Sequence, residues 1–166
     1  MRNKRRSILC IGVAFVMLFL LASCAQELDM RPSEIGTRIK EAYGRLPACA
    51  VYDSNACEGE DGYLSEERFN LLLNAEKLVP YTVTEAYVCM SGNPVLCEEI
   101  MVFRCRTASD AKDVASLCLS RAKTLDKAEE KPIPCAALCR GKTVIYYRLA
   151  NGTAAKKAFE RVVGDS

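Results

Sequence analysis

The sequence predicts an α+β domain: a mainly antiparallel sheet of about four strands with helices on one face. Three observations lead there. Strand-like segments come in pairs joined by short turns, 82–91 with 99–106, and then two further strands within 136–150. A helix-period segment follows each pair, so the order is strand, strand, helix, strand, strand, helix. Hairpins separated by helices, in place of strict strand–helix alternation, mark an antiparallel sheet with segregated helices. Two shorter helical segments precede this core.

The elements follow in order. Ser33 is placed to cap a first helix, with Glu34 in its positive first turn and Ile35, Ile39, Ala42, Tyr43 and Leu46 at helical spacing. Gly44 and Pro47 end it. Residues 49–62 read as an acidic loop holding Asp53, Asn55, Glu58, Glu60 and Asp61. Ser65 caps a second helix with Phe69, Leu72 and Leu73 on its buried side, and Pro80 stops it. In the first strand Ala86, Val88 and Met90 share one face and Glu85, Tyr87 and Cys89 the other. Gly92-Asn93-Pro94 is a turn, and Ile100, Val102 and Phe103 fill the second strand. Residues 109–128 form the strongest helix, with the stripe Ala111, Val114, Ala115, Cys118, Ala122 and Leu125. After Pro132 and Pro134 come a short strand, a Gly141-Lys142 turn and a strand over 143–149. Thr153 is placed to cap a last helix whose apolar face is Ala155, Ala158, Phe159, Val162 and Val163.

Ahead of all this stands a leader. Arg2, Lys4, Arg5 and Arg6 precede an apolar run from Ile8 to Leu21 broken only by Gly12. The run is short of the roughly 20 residues a membrane span needs and has the length of a signal-peptide core. It closes on Leu21-Ala22-Ser23-Cys24, the pattern of a bacterial lipoprotein processing site. Cleavage before Cys24 and diacylglyceryl transfer to its thiol are expected. Two acyl chains hold a protein at a membrane, at about 0.8 kcal/mol per buried methylene. The basic end stays cytoplasmic, which puts the domain on the extracytoplasmic face of the cell membrane.

The expected organisation is a signal peptide over 1–23, a tether over 24–32 and one domain over 33–166. Removing 23 residues from 166 leaves 143, enough for one hydrophobic core. The four leader charges are all basic, so the net charge falls from +2 to −2. The mature domain carries no net basic field for nucleic acid.

The residue inventory narrows the chemistry. No histidine is present, which removes Ser-His and Cys-His nucleophilic sites and histidine metal ligands. Gly141-Lys142-Thr143 matches the end of a phosphate-binding loop. The pattern's first glycine falls on Ala136, and a strand follows where a helix is required. The acidic loop fails the calcium pattern: with Asp53 first, the required glycine falls on Glu58 and the bidentate glutamate on Leu64. Asn151-Gly152-Thr153 reads as a helix start rather than a glycosylation acceptor. Neither a cofactor nor a resident metal is expected. Glu85, Glu98 and Glu99 are the carboxylates that an acid–base site would draw on.

Cysteine is the unusual feature. Cys10 leaves with the leader and Cys24 is the lipidation site, so eight remain: Cys49, Cys57, Cys89, Cys97, Cys105, Cys118, Cys135 and Cys139. Two local disulfides suit the spacing, Cys49 with Cys57 and Cys89 with Cys97, each stabilising by about 2–3 kcal/mol. Against them, Cys105 and Cys118 sit in apolar patterns, where free cysteine acts as a small hydrophobe. Cys135 and Cys139 lie about 13 Å apart if on a strand, too far to share a metal.

From Tyr63 to Val163 the chain resembles a domain family of unknown function found in lipoproteins of Gram-positive bacteria. The resemblance is carried by Tyr63-Leu64-Ser65-Glu66-Glu67, Val83-Thr84-Glu85-Ala86-Tyr87-Val88, Glu98-Glu99-Ile100-Met101-Val102-Phe103 and Ala108-Ser109-Asp110-Ala111-Lys112. Cys118-Leu119-Ser120-Arg121 fits it less sharply. It implies a lipid-anchored extracytoplasmic domain and no particular activity; cysteine richness is not part of its pattern. The expected function is a membrane-anchored, non-catalytic binding or interaction module meeting an envelope protein or a small ligand. The alternative is an envelope thiol redox or metal-handling protein.

Overall fold

A computed structural model describes residues 27–44, 46, 48–73, 82–93, 96–127 and 132–164. The leader and Cys24 lie outside these residues, as do Pro47, Pro80 and Pro94, where a helix end, a helix stop and part of a turn were expected. In chain order the elements are α1 (Pro32–Tyr43), β1 (Ala50–Asp53), α2 (Glu66–Leu73), β2 (Val83–Met90), β3 (Glu99–Cys105), α3 (Ala108–Asp126), β4 (Cys135–Arg140), β5 (Thr143–Arg148) and α4 (Gly152–Gly164).

The class is α+β as expected, but the sheet has five strands, not four, in the order β1-β2-β3-β5-β4, all antiparallel. The added strand is β1, inside the segment expected to be loop. It holds four residues and pairs Val51 with Cys89 and Asp53 with Tyr87. Its first two residues are solvent-exposed, so it lacks the apolar alternation that reveals a half-buried strand. Both expected hairpins form, β2 with β3 and β4 with β5, and β3 joins them by pairing with β5.

Helices cover both faces of this sheet, not one. Ala86, Val88, Met101, Phe103, Val144 and Tyr146 point to one side, against Phe69 and Leu73 of α2 and the α3 stripe. Tyr87, Cys89, Ile100, Val102, Ile145 and Tyr147 point to the other, against Ile35, Ile39 and Tyr43 of α1 and Ala155, Ala158 and Val162 of α4. Successive residues of a strand face opposite ways. A strand covered on both sides must therefore be apolar throughout, which explains the unbroken Ile100-Met101-Val102-Phe103.

The helix starts differ in detail from the expected caps. Arg31 precedes α1 without a side-chain cap and Pro32 takes the first helical position, where its missing N–H costs nothing. Ser65 caps α2 as expected, accepting from the Arg68 N–H at 3.2 Å. Thr107 caps α3 in a reciprocal box with Asp110. Asn151, not Thr153, caps α4 by accepting from the Ala154 N–H at 3.1 Å.

Residues 27–31, within the expected tether over 24–32, are docked on the sheet. Leu28 is buried. Arg104 at the end of β3 donates to the carbonyls of Leu28 at 3.1 Å and Met30 at 2.6 Å, and to Glu27 Oε1 at 3.3 Å. Glu27 also lies over the β4–β5 turn: a Cβ built on Gly141 would stand 3.2 Å from the Glu27 Cβ.

Candidate functional site

The three carboxylates do not converge. Glu85 lies on β2 opposite Arg104. Glu98 and Glu99 are buried and face opposite sides. Glu98 accepts from the Tyr43 hydroxyl at 2.8 Å and the Ala150 N–H at 2.8 Å, tying α1 to the start of α4. Glu99 turns to the α3 side, where Arg121 Nη2 stands 3.0 Å from Oε2 and the Tyr146 hydroxyl donates to Oε1 at 2.9 Å. Burial, followed by the Glu99 charge, pushes the Tyr146 phenol far above its ordinary range. Arg148, fully buried, pairs with Asp126 at 2.9 Å and donates to the carbonyls of Leu96 and Cys97. These groups are engaged in holding elements together, and the two adjacent glutamates cannot share a substrate.

The eight cysteines from Cys49 to Cys139 are all described, and none is in a disulfide. β1 intervenes between Cys49 and Cys57, and neither is bonded to the other. Cys57 is exposed in the acidic loop, with its N–H on Glu60 Oε2 at 2.7 Å. Cys89 is buried on the α1 face, and Cys97 lies half-buried in the β2–β3 connection. Cys105 ends β3, and burial with the Asp110 charge pushes its thiol up to about 12. Cys118 lies at the centre of the α3 stripe. Cys135 and Cys139 open and nearly close β4, on a strand and therefore too far apart to chelate. Among the described residues no group of three or more metal-ligating side chains comes together.

One pair does come together, and it is neither of the pairs expected from spacing. Val51 is opposite Cys89, so Cys49, two residues before Val51, is a diagonal neighbour of Cys89 on the same face. Both pack in the apolar cluster on the α1 side of the sheet, and each thiol shifts the acidity of the other. From α1 Lys40 acts on Cys49: the thiol raises the lysine's pKa, and the lysine lowers that of the thiol. Tyr87, two residues before Cys89 on β2, is buried in the same cluster under α1.

Gly36 makes this approach possible. A Cβ there would fall 2.1 Å from Tyr87 Cδ1. The bare glycine lets α1 settle on β2 and carries Lys40, one turn further on the same helix face, over the two sulfurs.

The two thiols are tuned apart. Partial burial pushes the Cys49 thiol up, but hydrogen bonds from Lys40 and Cys89 and the lysine charge outweigh it, so the thiol lies below its ordinary value. Burial, with the Cys49 hydrogen bond and charge, pushes Cys89 up to about 12. The result is a half-exposed thiol biased toward thiolate beside a buried thiol held protonated. Thiolate is the nucleophilic form of cysteine. The spacing of cysteines along the chain does not reveal this pair, because their contact depends on β1. Lys40 carries no sequence signal beyond being a lysine on an amphipathic helix.

Elsewhere, an open groove of about 360 Å³ between α1 and α4 is lined by Arg38, Glu41, Ala42, Arg161 and Val162. Among the described residues no helix is long and apolar enough to cross a membrane. Comparison of the chain with protein-family models, with curated proteins and with solved structures found no match.

Proposed function

We propose that this protein is a lipid-anchored lipoprotein of the cell envelope, held on the extracytoplasmic face of the cell membrane through Cys24, and that its domain is a non-catalytic interaction module. The carrying observation is the distance between anchor and fold. Glu27, Leu28 and Met30 are held by Arg104, and the three residue steps from Cys24 to Glu27 reach only about 10 Å at 3.3–3.6 Å per residue. A diacylated Cys24 would keep the Arg104–Gly141 end of the sheet at the headgroups. The opposite end, with the β2–β3 connection and the thiol pair, would face outward. The resemblance to lipoprotein domains of Gram-positive bacteria supports the same reading, and an envelope protein or small ligand is the partner it implies.

The test is expression of the full chain beside a Cys24→Ala variant. Expected are a membrane-bound protein whose amino-terminal peptide is Cys24 carrying two or three acyl chains, and release of the variant from that anchor. Whole-cell crosslinking should recover partners that the variant loses. A wild-type protein with an unmodified Cys24, or with the leader retained, would overturn the anchored reading.

A further inference from the structure

We propose that Cys49 and Cys89 form a dithiol–disulfide exchange site, with Cys49 attacking, Cys89 resolving and Lys40 stabilising the attacking sulfur. The substrate class is an organic disulfide. This goes beyond the interaction-module reading and does not depend on the anchor.

Three observations carry it. The two residues are diagonal neighbours on one face of β1 and β2 and pack in one cluster, although 40 positions separate them in the chain. Access is asymmetric: Cys49 is half-exposed while Cys89 is 0% exposed, so an external disulfide meets only Cys49. A cation favours the accessible sulfur more: Lys40 of α1 brings the Cys49 thiol below its ordinary value, whereas its charge does not keep burial from raising Cys89. The exposed Cys57 has no such lysine contact among the described interactions and serves as an internal comparison.

The chemistry balances in two steps. The Cys49 thiolate attacks one sulfur of the substrate disulfide; a mixed disulfide forms, the substrate S–S bond breaks, and the departing thiolate takes a proton from solvent. Cys89 then loses its proton and attacks the Cys49 sulfur. The Cys49–Cys89 bond forms, the mixed disulfide breaks, and the second departing thiolate takes the proton that Cys89 gave up. The substrate gains two electrons and becomes two thiols, and the protein dithiol becomes a disulfide. The same steps run in reverse when the site is oxidised and the substrate is a dithiol; the direction follows the relative reduction potentials.

The experiment uses the reduced full chain in detergent with two probes, oxidised glutathione as a small disulfide and insulin as a protein disulfide. Peptide mass spectrometry should find Cys49 linked to Cys89 after either probe or both, and the productive probe identifies the substrate source. Cys89→Ala should accumulate the mixed disulfide on Cys49. Cys49→Ala, at a half-exposed position, should abolish the reaction, whereas Cys57→Ser should leave it unchanged. Lys40→Met should slow the first step severalfold at pH 7 and move its pH profile upward, with partial recovery in Lys40→Arg. Each pKa unit removes tenfold of the thiolate near neutrality, partly offset by the higher nucleophilicity of a more basic sulfur. The proposal is overturned if neither probe yields the Cys49–Cys89 link, if a wild-type mixed disulfide on Cys49 never resolves, or if the link joins other cysteines. An unchanged pH profile in Lys40→Met overturns the role of the lysine.

Discussion

Gly36 lies so close to Tyr87 that a methyl group on the glycine would fall 2.1 Å from the ring's Cδ1. This one contact sets how deeply α1 rests on β2, and Lys40 rides on the same helix. Gly36→Ala should therefore be destabilising although it sits in a helix. Overpacking costs about 1–3 kcal/mol, against a gain of roughly 1 kcal/mol in helix propensity. Urea unfolding should show a lower midpoint, and alkylation of Cys49 at pH 7 should slow as Lys40 is displaced.

Glu99 is balanced by Arg121 and Tyr146 in a site closed to solvent on the carboxylate side. Arg121→Met leaves that carboxylate uncompensated and should cost about 3–5 kcal/mol. Tyr146→Phe removes one hydrogen bond to a charged group and should cost about 1.5–3 kcal/mol. The double variant Glu99→Leu with Arg121→Met should be more stable than Arg121→Met alone. A denaturant-derived double-mutant cycle measures all three.

Arg104 holds the chain where it enters the domain. Arg104→Ala removes both carbonyl contacts and the Glu27 ion pair. Hydrogen exchange in the segment 28–31 should accelerate at least tenfold while β3 and β5 stay protected. Protection that persists in the variant would show that burial of Leu28 alone suffices.

Alkaline pH should weaken the reduced protein. The Cys89 and Cys105 thiols are pushed up to about 12 from an ordinary 9.0, and burial pushes the Tyr87 phenol up to about 12 as well. These groups are raised, so their contribution is complete below the unfolded value. Above pH 9 the unfolded chain binds fewer protons than the folded one, and stability falls as pH rises toward 12. Each thiol steepens the slope by up to about 1.4 kcal/mol per pH unit. With no histidine in the chain, the urea midpoint should be nearly flat from pH 6 to 8 and then decline. Cys105→Ala should make the decline shallower.

Much of the fold was legible in the chain. Both hairpins, the α3 stripe and the apolar face of α4 follow from local periodicity, which the backbone reports directly. What escaped was non-local or short. β1 is a four-residue edge strand with an exposed start, and its acidic surroundings read as loop. The two-sided covering of the sheet was written in Ile100-Met101-Val102-Phe103, a run too apolar for a strand with one wet face. The carboxylates Glu98 and Glu99 are adjacent in sequence, and the pleat sends them apart.

By itself the sequence determined the α+β class, the helix and hairpin order and the absence of histidine chemistry. Each of these depends on neighbours within a few residues. Only the tertiary structure decided which cysteines meet. Cys49 and Cys89 are brought together by the register of β1 on β2, and Lys40 lies on the helix that Gly36 seats against the Tyr87 ring. Strand register and helix approach are set by packing across the whole sheet. The pairing of the thiols and the difference in their acidity therefore belong to the fold and not to any local stretch of the chain.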